Sequence, residues 1–326
     1  MYIAAKNLSC LQETFLRIPQ ILSAILIKNT ASIQHPGPGV LNDYIILQKQ
    51  NGRNLMKTKA IFLDLDGTLL NDSREITEGN RAAIRKALDA GHKIIICTGR
   101  ATVSAKKQAR KLGIDGSGCY LIAFNGGVLY DIGQDCILER SAIPMDLVKT
   151  IFREAEVRKI HIQTFDDEQV IVEPRCDDEF LDRYCAKVNM DFSIIDRIDR
   201  LKQPPAKMLL IDYYDQTAEE NFRKDILAKY GDRLNSFFSC KEYIEIIPKT
   251  CGKGLALRRL AEILEIPVED TIGVGDEAND LTMVEAAGLG VCMANGIPEV
   301  KAAADYITER DNNHDGVAEV IEKFVL

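Results

Sequence analysis

The stretch AIFLDLDGTLL, Ala60–Leu70, decides the fold and raises the question of function. It begins like a buried strand, and then Asp64 and Asp66 follow two positions apart before Gly67. Side chains alternate along an extended chain, so both carboxylates point to the same side. Two unit charges about 4 Å apart repel by about 4 kcal/mol at an effective dielectric near 20. The pattern therefore predicts a cation at the end of this strand.

Apolar strands and amphipathic helices alternate from Lys59 onward. The strand patterns are AIFLDL, KIIICT and YLIAFN, with the helical patterns TEGNRAAIRKALDA and TVSAKKQARKLG between them. Thr77 is placed to cap a helix, and Gly91 and Gly113 stand where helices end. The alternation returns near the C-terminus with KGLALRRLAEIL, DTIGVGD and LGVCMA. It predicts an α/β fold with a Rossmann-like, doubly wound parallel-sheet core.

The pattern changes in the middle of the chain. The hairpin KIHIQTFDDEQVIVEP, an acidic helix, the strand KMLLIDYY and a strand pair ending in EYIEIIP are typical of an antiparallel sheet with one wet face. We therefore predict a core formed by residues 57–142 and 249–326, with an inserted α+β cap domain over residues 143–248. Residues 1–56 are interpreted as an N-terminal extension that is either disordered or not part of the functional chain.

Composition disfavours several classes of function. The chain of 326 residues is 46% hydrophobic and carries a formal net charge of −8, which argues against nucleic acid or anionic lipid as a partner. No apolar run reaches the roughly 18 residues that cross a bilayer. Nine cysteines form no CxxC pair, so neither a disulfide framework nor a zinc site is indicated. We expect a cytoplasmic protein that binds neither nucleic acid nor membrane, and its oligomeric state is not encoded in any pattern.

Polar side chains follow the predicted strands at their carboxyl ends, where ligands bind in doubly wound sheets. These side chains are Asp64, Asp66, Thr98, Asn125, Asp276 and Asp280. Hard carboxylate oxygens without histidine or thiol neighbours favour Mg²⁺, which takes only a few protein ligands alongside substrate phosphate. The sequence therefore predicts a magnesium site at this edge.

Simpler interpretations compete with this one. DLDGT alone could be an ordinary acidic turn, because Asp and Gly are common turn formers. A calcium-binding EF-hand is excluded, since it needs glycine at its sixth position and Gly67 would be fourth. The stretch GVGDEA matches the GxGxxA of dinucleotide-binding folds, but Asp276 and Glu277 would face the pyrophosphate there.

Four separated segments together narrow the choice. DLDGT, CTGR with Thr98, CGKGLAL with Lys253, and GDEAND resemble the four motifs of the haloacid dehalogenase (HAD) superfamily. FNGG, EYIEIIP and AGLGVCMANGIPEVKAAADYIT further resemble the Cof-type sugar-phosphatase branch with a subclass IIB cap. The branch often has NGA where this chain has FNGG, and GNA where it has MANG. The resemblance covers residues 57–326.

The resemblance implies a catalytic set. Asp64 would attack the substrate phosphorus and become an aspartyl phosphate. Asp66 would protonate the leaving alkoxide and later deprotonate the hydrolytic water. Asp276, with one oxygen of Asp64 and the backbone carbonyl of Asp66, would hold Mg²⁺.

Other residues are given supporting roles by the same resemblance. Thr98 would donate a hydrogen bond to the phosphoryl group, and Lys253 would supply a fixed positive charge. Asp280 would support the metal through water or Lys253. The remaining expected phosphate or substrate contacts are Gly99, Asn125, Gly126 and Asn279.

Five further polar residues are left outside this set. Arg100 is interpreted as a structural capping or ion-pair residue. In the cap, surface positions are expected rather than substrate contacts for His161, Asp166, Asp167 and Lys207.

The resulting hypothesis is a Mg²⁺-dependent phosphatase acting on small phosphorylated metabolites. Sugar phosphates are the leading substrate class, followed by nucleotides. A phosphomutase, a phosphoaspartyl receiver module and an inactive binding protein are the alternatives.

Overall fold

The computed structural model describes residues 57–174 and 178–326. The predicted extension, residues 1–56, lies outside the described residues. The described strands, in chain order, are β1 Ala60–Asp64, β2 Lys93–Cys97, β3 Cys119–Ala123, β4 Val128–Asp131, β5 Cys136–Arg140, β6 Ile162–Phe165, β7 Val170–Val172, β8 Phe192–Ile194, β9 Met208–Ile211, β10 Leu234–Cys240, β11 Tyr243–Pro248, β12 Thr271–Gly275, β13 Leu289–Cys292 and β14 Tyr306–Ile307. The described α-helices are α1 Glu78–Asp89, α2 Thr102–Leu112, α3 Met145–Arg158, α4 Asp178–Val188, α5 Thr217–Tyr230, α6 Lys253–Ile263, α7 Leu281–Ala286, α8 Pro298–Ala303 and α9 Gly316–Phe324.

An eight-stranded sheet forms the core, in the order β14-β13-β12-β1-β2-β3-β4-β5. Strands β14 to β3 in this order are parallel, and the β4–β5 hairpin extends the sheet antiparallel to β3. The chain runs outward from β1 to β3 on one side and from β12 to β14 on the other. The topological switch point, where such sheets bind ligands, therefore lies between β1 and β12.

Local signals in the sequence place several helix ends correctly. Thr77 caps α1, since its side chain accepts a hydrogen bond from Asn80 N. Gly113 ends α2 in the left-handed conformation. The β4–β5 hairpin was not predicted, although VLYD and CILER around a short turn are a hairpin pattern.

A second sheet of six strands has the order β10-β11-β9-β6-β7-β8, antiparallel except for the parallel pair β7–β8. We call this sheet and its helices, residues 145–248, the cap. Met208 and Leu210 of β9 face a cluster formed with α3 and α5, whereas Leu209 and Ile211 join a cluster that continues into the core. The rings of Phe124 in the core and Phe165 in the cap lie 5.7 Å apart.

The predicted fold class, an α/β core with an inserted α+β unit, is confirmed. The exact boundaries of the predicted core and cap domains stay a prediction. None of the helices within residues 57–174 and 178–326 has the length and apolar character needed to cross a membrane.

Candidate active site

Asp64 and Asp276 lie side by side because they end neighbouring parallel strands. Asp64 is the last residue of β1, and Asp276 directly follows β12. Asp280 lies in the single 3₁₀ turn that follows. Each of the three buried residues offers a carboxylate oxygen, and these oxygens lie within 4.8 Å of one another.

Lys253 is the cation within this acidic cluster. It is the first residue of α6, is 1% exposed, and places Nζ 2.5 Å from Asp64 Oδ1. The same nitrogen donates a hydrogen bond to Asp280 Oδ1. Asp280 Oδ2 accepts hydrogen bonds from the backbone N–H groups of Asp276 and Glu277, each at 3.1 Å. Both oxygens of Asp280 are therefore engaged by protein groups.

The protonation equilibria reflect burial and like charges. Burial raises the pKa of Asp64, and the Asp280 carboxylate raises it further. Burial raises the pKa of Asp276 to about 7, although the hydrogen bond from Thr68 opposes that shift. Burial would lower the pKa of Lys253, but Asp280 and Asp64 outweigh it and raise the pKa, so the ammonium stays charged. Three ionised carboxylates would outnumber the one lysine charge, so without a further cation Asp64 and Asp276 tend to take up protons.

Gly67 allows Asp276 to approach the loop after β1. Its φ is +89°, and a Cβ atom at this position would lie 2.2 Å from Asp276 Oδ2. Thr68 Oγ1 donates to Asp276 Oδ1 at 2.7 Å and fixes the carboxylate. Among the described residues, no hydrogen bond reaches Oδ2 of Asp64 or Oδ2 of Asp276. Two hard oxygens in a site whose three carboxyl groups outnumber its one lysine fit a small divalent cation such as Mg²⁺.

Thr98 and Asn125 stand at the ends of β2 and β3, beside the acidic cluster. Thr98 is buried and its Oγ1 accepts a hydrogen bond from Arg100 N at 3.2 Å. Asn125 N donates to Thr98 O, so the two loops are joined. Gly99 packs against Asn125, where an added Cβ would lie 3.0 Å from Nδ2.

Two further predicted contacts have different placements. Asn279 is half-buried and lines the cavity at the site. Gly126 instead backs onto Gly252, where an added Cβ would lie 2.7 Å from the Gly252 carbonyl oxygen. Gly126 therefore packs against the residue before Lys253. The substrate roles of Asn279 and Gly126 stay predictions.

Asp66 turns away from the acidic cluster toward Arg100. The guanidinium places Nη2 2.5 Å from Asp66 Oδ1 and Nε 3.1 Å from Oδ2. The Asp66 side chain is 55% exposed in this ion pair. Arg100, interpreted from the sequence as a capping or ion-pair residue, therefore pairs with a residue of the predicted catalytic set.

A cavity of about 330 Å³ lies between the core loops and the cap. Asp64, Asp66 and Thr98 line it from the core, and Tyr184, Lys207 and Glu245 line it from the cap. The expected surface position of Lys207 is wrong, because the residue is 2% exposed. Alternation along β9 puts Lys207 on the same side as Leu209, which faces the core. In the sequence, the signal for the burial of Lys207 is its place directly before an apolar strand.

The other three polar cap residues are placed as follows. Asp166 caps the β6–β7 turn by accepting hydrogen bonds from the backbone of Glu168 and Gln169. Asp167 is partly exposed and pairs with Arg140. His161 is buried rather than at the surface, and its ring packs against Phe180.

Comparisons with known proteins agree with this architecture. The profile of the haloacid dehalogenase-like hydrolase family matches residues 61–321. YxeH of Bacillus subtilis is 34% identical, over 82% of this chain and 98% of its own length. YwtE of the same organism, a 5-amino-6-(5-phospho-D-ribitylamino)uracil phosphatase, is 30% identical, over 82% of this chain and 98% of its own length. The solved structure of the HAD subclass IIB sugar phosphatase BT4131 shares the fold, with a TM-score of 0.68 and 24% identity. The match covers 82% of this chain and 99% of that one.

The chain belongs to the haloacid dehalogenase-like hydrolases. The resemblance stated from the sequence motifs is confirmed, and so is the enzyme class, a phosphatase. The roles of the individual site residues stay predictions.

Proposed function

We propose that this protein is a Mg²⁺-dependent phosphomonoester hydrolase that works through an aspartyl-phosphate intermediate on Asp64. The observation that carries the proposal is the buried contact of Lys253 with Asp64 and Asp280, beside Asp276. The arrangement supports the proposal because it holds one carboxylate in place, next to a positive charge and to further carboxylates that would bind a metal ion.

Asp64 Oδ2, Asp276 Oδ2 and the backbone carbonyl of Asp66 would hold Mg²⁺. When bound, the ion supplies charge neutralisation for the phosphoryl oxygens and the attacking carboxylate. Asp280 is a less suitable direct ligand, since Lys253 and two backbone N–H groups already engage its oxygens. Its function is to orient Lys253 and the Asp276 backbone.

The reaction then has two steps. Asp64 attacks phosphorus, the bond from phosphorus to the ester oxygen breaks, and the leaving alkoxide takes a proton from Asp66. In the second step water attacks the aspartyl phosphate, gives a proton to Asp66, and releases inorganic phosphate with Asp64 restored. Throughout, Lys253 and the Thr98 hydroxyl face the phosphoryl oxygens.

Small polar phosphomonoesters are the substrate class that this cavity suits best, with sugar phosphates first. Its volume of about 330 Å³ is that of a small-molecule site. Charged and hydroxyl groups from the cap, including Glu245, Lys207 and Tyr184, line the side where the leaving group would lie. The fold shared with a sugar phosphatase, and a relative whose substrate is a phosphorylated ribityl compound, support this class. A cytoplasmic location is part of the same proposal.

The test is hydrolysis of p-nitrophenyl phosphate with and without MgCl₂. We expect multiple turnovers that need Mg²⁺ and that Asp64→Asn abolishes. Glu78→Gln, a change at a 90% exposed side chain on α1, is the matched control and should keep full activity. Stoichiometric labelling without turnover would instead indicate a receiver module, and ligand binding without phosphate release would indicate an inactive binding protein.

A panel of sugar phosphates, sugar-alcohol phosphates and nucleotides identifies the substrate class. Released phosphate should be greatest for the sugar and sugar-alcohol phosphates. Isomerised product with little released phosphate would favour the phosphomutase.

A further inference from the structure

Lys207 and Glu245 form a buried ion pair in the cap that the sequence motifs do not account for. Lys207 Nζ lies 3.2 Å from Glu245 Oε1, and the two side chains are 3% and 6% exposed. The pair faces the core, because Lys207 precedes β9 and Glu245 lies opposite Leu209 in the adjacent strand β11. Phe165 supplies an aromatic face 5.1 Å from the ammonium.

Stability alone does not explain this pair. Desolvation of two charges offsets most of their attraction, and well-packed apolar residues of similar volume often serve a fold equally well. A buried pair of this kind points instead to a requirement for specific geometry. Its further hydrogen bonds show which geometry is fixed.

Both members of the pair contact the core. Lys207 Nζ donates to the Gly99 carbonyl oxygen at 2.8 Å, and Glu245 Oε2 accepts from Asn125 Nδ2 at 2.6 Å. Gly99 and Asn125 belong to the two loops that follow β2 and β3, on the core side of the cavity. The contacts therefore exist only while the cap is seated on these loops.

One peptide group links Lys207 to Thr98 through two hydrogen bonds. The Gly99–Arg100 peptide accepts the Lys207 hydrogen bond at its carbonyl and donates its N–H to Thr98 Oγ1. The two bonds fix the plane of this peptide from opposite ends. Because Thr98 Oγ1 accepts this hydrogen bond, its own proton is left to donate toward the cavity.

We propose that Lys207, held by Glu245, is a positioning residue that aligns the Thr98 hydroxyl with the phosphoryl group when the cap closes. The inference rests on the proposed phosphatase function and deepens it by naming how the cap completes the phosphate site. Glu245 balances the charge of Lys207 and carries the same constraint to Asn125. Neither residue needs to touch the reacting atoms to affect the rate.

The experiment is a double-mutant cycle on kcat with p-nitrophenyl phosphate. Lys207→Met/Glu245→Gln removes the charge pair and the bond to Gly99, while glutamine can still accept from Asn125 and no uncompensated charge is buried. We expect this variant to lower kcat about 10-fold, since a small misplacement of a catalytic group is costly. In a Thr98→Val background the same substitutions should lower kcat less than about 2-fold, because the hydroxyl they position is absent.

Controls separate positioning from folding. Arg158→Met breaks the cap ion pair with Asp225, away from the cavity, and should leave kcat unchanged. Circular dichroism and thermal unfolding verify that every variant is folded. Glu245→Gln alone keeps the Lys207–Gly99 bond and should lower kcat less than the double substitution.

Three results would overturn the inference while leaving the phosphatase intact. These are equal effects of the substitutions with and without Thr98, a rise in KM with unchanged kcat, or no effect at all. Absence of Mg²⁺-dependent turnover in the unaltered protein would refute the proposed function itself, and the inference with it.

Discussion

Arg100 holds both carboxylate oxygens of Asp66, with Nη2 2.5 Å from Oδ1 and Nε 3.1 Å from Oδ2. The pair keeps Asp66 at the mouth of the cavity, clear of the buried acids around Lys253. The ion pair sets the position from which the proposed proton donor acts.

Replacement of Asp66 should affect poor leaving groups most. In Asp66→Asn we expect kcat for an alkyl phosphate to fall by roughly 10²-fold or more, and that for p-nitrophenyl phosphate to fall far less, because nitrophenolate departs without a proton. Arg100→Met should also lower kcat more for the alkyl phosphate than for p-nitrophenyl phosphate. Both losses should be smaller than in Asp66→Asn, because the substitution frees the carboxylate from its ion pair rather than removing it. Equal losses for both substrates would contradict the acid role.

Gly67→Ala tests the proposed metal site, and a control glycine distinguishes its effect from simple backbone strain. At φ +89° an alanine is strained, and its Cβ would meet Asp276 Oδ2 at 2.2 Å. Gly91→Ala is the matched control, because Gly91 has φ +91° and no atom within 4 Å of an added Cβ. Both changes should lower the free energy of unfolding by about 1 kcal/mol or more. Only Gly67→Ala should abolish Mg²⁺-dependent hydrolysis, and loss of activity in both variants would contradict this assignment.

Mg²⁺ should raise Tm more at pH 8 than at pH 5.5. Burial lifts the pKa of Asp276 to about 7, against an ordinary value of 3.8. The metal-free protein therefore loses stability as pH rises from about 4 to about 7, where Asp276 becomes charged. A bound cation offsets that loss, whereas protons compete with it at pH 5.5. Thermal scans with MgCl₂ test this, and Asp276→Asn should show a much smaller shift at both pH values.

Lys253→Met should be severely destabilising. It leaves Asp64 and Asp280 buried without their shared cation, which costs about 3–5 kcal/mol in the free energy of unfolding. Lys106→Met breaks the partly exposed pair with Asp135 and should cost about 1 kcal/mol or less. Urea unfolding in EDTA measures both. The double variant Lys253→Met/Asp280→Asn should recover part of the loss, and no recovery would contradict the charge argument.

The sequence predicted the parts of the site that depend on local pattern and strand order. Asp64 and Asp276 could be brought together because each follows an apolar strand, and parallel strands present their carboxyl ends at one edge. Lys253 was singled out by the resemblance of CGKGLAL to a motif of the haloacid dehalogenase superfamily. The structure places its ammonium against Asp64 and Asp280.

Contacts made across the cap were not accessible to the same reasoning. The burial of Lys207 depends on which face of β9 meets the core, and this follows from the packing of the cap against Phe124 and the loop after β2. The Asp66–Arg100 pair depends on side-chain directions in two separate loops. The β4–β5 hairpin was missed because its strands lie between the regular alternation of the core and the inserted sheet.

The pairing of β1 with β12 joins segments that are far apart in the chain, and this has a consequence for folding during synthesis. The ribosome synthesises Asp64 long before Lys253 and long before β12, the strand that pairs with β1. Until then the nascent chain carries an unpaired strand edge beside an acid that lacks its counterion. The acidic cluster can therefore assemble only after residues 253–280 have been synthesised, when the whole inserted sheet has already been made.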